Sequence, residues 1–120
     1  MQYMMAIYEH ESDMSRRNDP DEAGPYWGVW MDYVAALNAA GITRGGNGLA
    51  VPATATTLRM QDGKRLVQDG PFADSKEQLG GYFILDVPDL DTALAWAAKC
   101  PALPNGAVEI RPVLPPPPGA

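Results

Sequence analysis

The chain has 120 residues, 46% of them apolar, enough for one hydrophobic core and too few for two. Fifteen acidic side chains against nine basic ones give a net charge of −6. The adjacent basic pair Arg16-Arg17 is surrounded by Asp13, Asp19, Asp21 and Glu22, so phosphate backbones and anionic lipid are repelled and neither nucleic acid nor membrane is an expected partner.

A single cysteine, Cys100, cannot close an internal disulfide, which fits a reducing compartment. The stretch Met1–Tyr8 reads as having no basic leader, and no segment reaches the roughly 18 apolar residues a membrane span requires. A soluble, cytoplasmic protein is expected.

In chain order, residues 2–8 carry apolar side chains on both parities, as a central strand covered on both faces would. Residues 9–23 are polar and charged and read as a solvated connection. A helix is predicted from about Pro25 to Ala40, with Pro25 in its first turn and Gly41 just past its end. Tyr26, Trp30, Tyr33 and Leu37 recur at spacings of four, three and four and form its apolar stripe. Asp21 and Glu22 lie upstream, at the positive end of the helix dipole.

Gly45-Gly46-Asn47-Gly48 follows a helix rather than a strand, so it reads as a flexible loop and not as a dinucleotide fingerprint. The β-branched run Thr54–Met60 and the run Arg65–Gln68 flank Asp62-Gly63, which predicts a hairpin. Tyr82–Val87 is a further strand apolar on both parities. Asp89 is a suitable N-cap for a second helix, Leu90 to about Lys99, stopped by Pro101. Ala107–Val113 alternates as a last strand, and the tail 114–120 is proline-rich and extended.

This order predicts an α+β, ferredoxin-like sandwich: one mostly antiparallel sheet with two helices on one face, over residues 1–113. Two helices cover one face only. The first strand and the Tyr82 strand nevertheless carry apolar groups on both, so a second copy of the chain is expected to cover the other face.

The densest chemistry is Asp69-Gly70-Pro71-Phe72-Ala73-Asp74-Ser75-Lys76-Glu77-Gln78-Leu79-Gly80-Gly81. Asp69 has two readings: acceptor for the turn that Gly70 and Pro71 impose, or the acid/base of a ligand site. Asp74 suits the cap of a short helical turn, with Glu77 three residues on. Lys76 would hold an anionic group or pair with Glu109. Arg59, Glu109 and Arg111 lie on strands, where they would pair with one another or meet a ligand, and Phe72, Trp27 or Trp30 would supply apolar walls. His10 reads as a strand-end histidine and Cys100 as a buried inert thiol. With one histidine and one cysteine, no zinc site is expected.

This block, together with Thr54-Ala55-Thr56-Thr57 and Arg59, Asp89-Leu90-Asp91 with Trp96-Ala97-Ala98, and Glu109-Ile110-Arg111-Pro112, resembles the DGPF-type branch of the YCII-related (YciI-like) family over nearly the whole chain. The resemblance implies a dimeric α+β barrel of two ferredoxin-like units, and no cofactor is expected. It places the chain in a superfamily that includes small-molecule enzymes. YciI-like enzymes are proposed to use a histidine–aspartate pair with the histidine on the first helix, and the helix Pro25–Ala40 has no histidine. The expected function is therefore binding of a small organic ligand by a homodimer. Asp69 is the candidate catalytic group, and Arg59, Phe72, Lys76, Glu109 and Arg111 are the candidate substrate-binding residues. The alternative is a non-catalytic regulatory partner in a sigma-factor system, since members of this branch look like genomic neighbours of such factors.

Overall fold

The computed structural model describes residues 1–119; the last residue of the expected tail, Ala120, lies outside the described residues. The first strand, β1 (Gln2–His10), runs two residues further than its apolar core, into α1 (Glu11–Met14) and a 3-10 turn, Ser15–Asn18. α2 (Ala23–Ala39) follows, then β2 (Thr43–Gly48), β3 (Thr56–Gln61), β4 (Lys64–Asp69), β5 (Glu77–Asp86), α3 (Leu90–Ala97) and β6 (Ala107–Pro112).

Strands β2, β5, β1 and β6, in that spatial order, form one antiparallel sheet. With α2 and α3 as the connections, this is the ferredoxin-like α+β sandwich the residue pattern predicts. Antiparallel partners share a face. Tyr3 lies opposite Leu85, Met5 opposite Phe83 and Ile110, and Ile7 opposite Val108. These side chains meet Tyr33 and Leu37 of α2 and Ala93 and Ala97 of α3 in one core. Met5, Leu37 and Leu85 are fully buried, so truncating any of them to alanine costs about 2–5 kcal/mol. The Tyr33 hydroxyl donates to the Trp96 carbonyl at 2.8 Å and ties the two helices together.

Two elements depart from expectation. Gly45–Gly48 is not a loop but most of edge strand β2, paired to β5. An edge strand is held by backbone bonds on one side, so it does not need β-branched residues, and here it needs their absence. A Cβ at Gly46 would come within 2.5 Å of the Tyr82 carbonyl oxygen and 2.7 Å of the Phe83 ring. The hairpin β3–β4 forms as predicted, with Asp62 and Gly63 both at positive φ in its turn, but it is a separate two-stranded sheet. Within the Asp69–Gly81 block no helical turn follows Asp74, and Glu77 already opens β5.

Asp89 caps α3 as expected, accepting from the Thr92 N–H at 2.8 Å. No helix among the described residues is long and apolar enough to cross a membrane.

Candidate functional site

The two-residue phase of β1 continues past Ile7, so Glu9 points to the helix side with Tyr3, Met5 and Ile7 and is 2% exposed. A carboxylate in that position requires partners. Arg17, on the 3-10 turn, donates from Nη2 to Glu9 Oε2 at 2.7 Å. Its Nε donates to the Tyr26 hydroxyl oxygen at 2.9 Å, and the Tyr26 O–H donates in turn to Glu9 Oε1. Two further guanidinium N–H groups are used: Nη1 reaches the Leu49 carbonyl at 2.6 Å and Nη2 the Gly80 carbonyl at 3.3 Å. The guanidinium carbon lies 5.1 Å from the centre of the Trp27 ring, a cation–π distance. Burial, and next the hydrogen bond to Glu9, push the Tyr26 phenol up to about 12, so it stays protonated and donates to the carboxylate at neutral pH.

The room for this cluster comes from β5. Ile7 lies opposite Gly81 but Tyr8 lies opposite Leu79, which leaves Gly80 as the extra residue of a β-bulge. The bulge sends the Gly80 carbonyl to the Leu49 N–H at 2.9 Å as well as to Arg17. A Cβ on Gly80 would run into Glu9 Oε2. The strand irregularity and the buried acid are one structural feature.

Beside the cluster opens a cavity of about 460 Å³, lined by Glu9, Arg17 and Tyr26 together with Trp27, Trp30, Met31 and Val34 of α2 and Phe83 of β5. α2 is apolar on nearly all sides. Tyr26, Tyr33 and Leu37 enter the core, while Trp27 and Met31 stay 41% and 70% exposed at this cavity. An apolar, aromatic chamber with one charged and hydrogen-bonded corner is the usual composition of a small-molecule site. A buried ion pair contributes little net stability compared with apolar packing of the same volume, so the fold alone does not call for it.

The residues singled out in the sequence lie elsewhere. Asp69 ends β4, is exposed, pairs with Thr56 through the hairpin ladder and lines neither this cavity nor the neighbouring cleft. Arg59 and Phe72 are brought together, the guanidinium carbon 4.7 Å from the ring centre. Phe72 also lines a larger cleft of about 900 Å³ between the hairpin base and the Tyr8 and Leu79 side chains. Arg111 donates to Glu109 at 3.1 Å on the exposed outer strand β6. Lys76 shares a shallow groove with Glu109 but forms no ion pair with it. Trp27 and Trp30 are walls of the 460 Å³ cavity, which neither Asp69 nor Phe72 lines, so the single pocket expected between the first helix and the Asp69–Phe72 loop is divided in two.

Glu9 and Arg17 fall in the segment read as a solvated connection, because charge there is nearly continuous. The signal that finds Glu9 is its parity: it extends the apolar series Tyr3, Met5, Ile7. Arg17 had no comparable local signal, since only the return of the chain after α1 brings it to β1. His10 caps α1, its Nδ1 accepting from the Ser12 N–H at 3.2 Å. Cys100 is buried, and burial pushes its thiol up to about 11. Among the described residues no three of His, Cys, Asp and Glu are grouped to hold a metal ion.

Comparison with known proteins matches the YCII-related domain to residues 1–116. An uncharacterised protein of Rhizobium meliloti (strain 1021) is 36% identical over 119 residues, spanning 94% of this chain and 92% of that protein. Among solved structures, the 5-chloro-2-hydroxyhydroquinone dehydrochlorinase of Burkholderia phenoliruptrix AC1100, in complex with 2,5-dihydroxybenzoquinone, shares the fold. That likeness has a TM-score of 0.54 at 15% sequence identity and covers 95% of this chain and 94% of the other.

Proposed function

The chain belongs to the YCII-related domain family, and within that family we propose that it binds a small planar organic molecule carrying at least one oxygen function. The observation that carries this reading is the Glu9–Arg17–Tyr26 cluster, dehydrated at the edge of a chamber walled by Trp27, Trp30 and Phe83. Indole and phenyl faces suit a flat ring, and the charged corner suits its hydroxyl or carboxylate. The dehydrochlorinase of the same fold takes a hydroxylated ring of that kind. Glu9 is the acid/base group of this reading, taking a proton from the ligand while Arg17 and Tyr26 hold the carboxylate in place.

The working form in this reading is a homodimer. Met4, Ala6, Tyr8, Tyr82 and Ile84 share the sheet face opposite the helices, with Glu109 and Arg111 at its margin. A second sheet packed on that face removes its apolar area from water.

Calorimetric titration with 2,5-dihydroxybenzoquinone and with a panel of hydroxylated benzoates tests the ligand reading. One-to-one binding per chain, weakened at least tenfold by Glu9→Gln and by Trp30→Ala, is expected. Binding indifferent to both substitutions, or no saturable binding across the panel, overturns it.

A further inference from the structure

We infer that the hairpin β3–β4 is an intersubunit arm whose Leu58–Met60–Val67 face seats on a second copy of this chain. The inference rests on the homodimer reading above and adds the part of the chain that clasps the partner.

Except at its base, where Arg59 lies over the Phe72 ring, the arm has little support from its own chain. Beyond each other, β3 and β4 pack extensively against no other element. A two-stranded hairpin is marginal in water without a further strand or a packing surface. The molecule is spread, with a radius of gyration of 16.4 Å to which the arm and the exposed tail both contribute, where a compact domain of this length has about 14 Å. Cross-strand register puts Leu58 opposite Val67 and Met60 opposite Arg65, so these side chains share one face. Leu58, Met60 and Val67 are 56%, 65% and 56% exposed there, an apolar group on an element that has no core of its own.

Two observations identify the occupant as a second copy. The first is charge. Residues 56–69 carry three basic side chains, Arg59, Lys64 and Arg65, against two acidic ones, which leaves six basic against thirteen acidic in the rest of the chain. Arg65 lies on the apolar face itself, opposite Met60, while Arg59 and Lys64 lie on the other face. It is the arm as a whole that is cationic against an acidic body, a self-complementary arrangement between copies. The second is continuity. The 900 Å³ cleft joins the arm base at Thr56–Leu58 and Phe72 to Tyr8 and Leu79, and Tyr8 belongs to the open face of the main sheet. A copy laid on that face therefore fills the angle between sheet and arm.

Sedimentation equilibrium and hydrogen–deuterium exchange on the full chain separate the two readings. Expected results are a wild-type dimer and slow exchange of the arm amides that becomes fast on dilution below the dissociation constant. The double substitution Leu58→Asp with Val67→Asp should weaken the dimer at least tenfold while far-ultraviolet dichroism stays unchanged. A benzophenone maleimide attached at Met60→Cys should crosslink to a second subunit on irradiation. A wild-type monomer at micromolar concentration overturns both the homodimer and the arm. A wild-type dimer whose arm exchanges fast at all concentrations, or whose affinity is indifferent to the double substitution, overturns the arm alone.

Discussion

The space left by the missing side chain of Gly80 is occupied by the Glu9 carboxylate. Gly80 is the bulged residue of β5, and its carbonyl receives both Arg17 and the Leu49 N–H. The local break in the sheet, the buried acid and the position of Arg17 therefore stand or fall together. Gly80→Ala should destabilise the protein by about 1–3 kcal/mol, the usual range for overpacking, and should abolish ligand binding through displacement of Glu9. Denaturant unfolding measures the first effect and titration the second. A variant with unchanged stability and binding would show that the cluster tolerates a methyl group there.

The Glu9–Arg17 pair is a coupled unit, with side-chain exposures of 2% and 9%. Glu9→Leu alone leaves a buried guanidinium without its anion, and Arg17→Met alone leaves a buried carboxylate without its cation. Each should cost about 3–5 kcal/mol, and the double substitution less than the two singles added together. The complete double-mutant cycle by chemical denaturation checks this. Strict additivity would mean that the two groups are not energetically paired in solution.

Alkaline pH should loosen the fold in a defined window. Tyr26 rises from its ordinary value of 10 to about 12 on folding. The folded state thus holds the phenol proton more tightly than the unfolded chain does, and that stabilisation is complete below pH 10. It declines as pH rises from 10 through 12, and the buried Cys100 thiol adds a loss between its ordinary 9 and about 11. Stability measured between pH 8 and 12 should fall progressively above pH 9. Tyr26→Phe should flatten the upper part of that fall, and an unaltered profile in this variant would exclude Tyr26 as its source.

The Asp69-Gly70 step separates structure from chemistry in the most distinctive stretch of the sequence. Gly70 sits at φ +103°, and its carbonyl accepts from the Thr57 hydroxyl at 2.8 Å while its N–H donates to Ala55 at 2.7 Å. Gly70→Ala should cost about 1–2 kcal/mol of backbone strain. Asp69→Asn, at an exposed position, should change stability by no more than about 0.5 kcal/mol and leave ligand affinity in the 460 Å³ cavity unchanged. A loss of affinity with intact stability would return Asp69 to the chemistry.

The elements were legible where local periodicity is strong. The stripe Tyr26–Trp30–Tyr33–Leu37 marked α2, the Asp62-Gly63 step marked the hairpin, and Asp89 marked the start of α3. β2 was not legible, because an edge strand of Thr-Arg-Gly-Gly-Asn-Gly is stabilised by the close approach of its backbone to β5 rather than by the side chains it carries.

By itself the sequence determined the family, the α+β order of elements and the aromatic face of α2, all properties of residue type and spacing along the chain. Only the tertiary structure decided where the charged site lies. Glu9, Arg17 and Gly80 are separated by up to 71 positions in the numbering of the chain, and nothing local marks them as partners. They become a site because α1 turns the chain back beside β1, β5 pairs with β1 through a bulge, and one glycine leaves room for a carboxylate that is only 2% exposed.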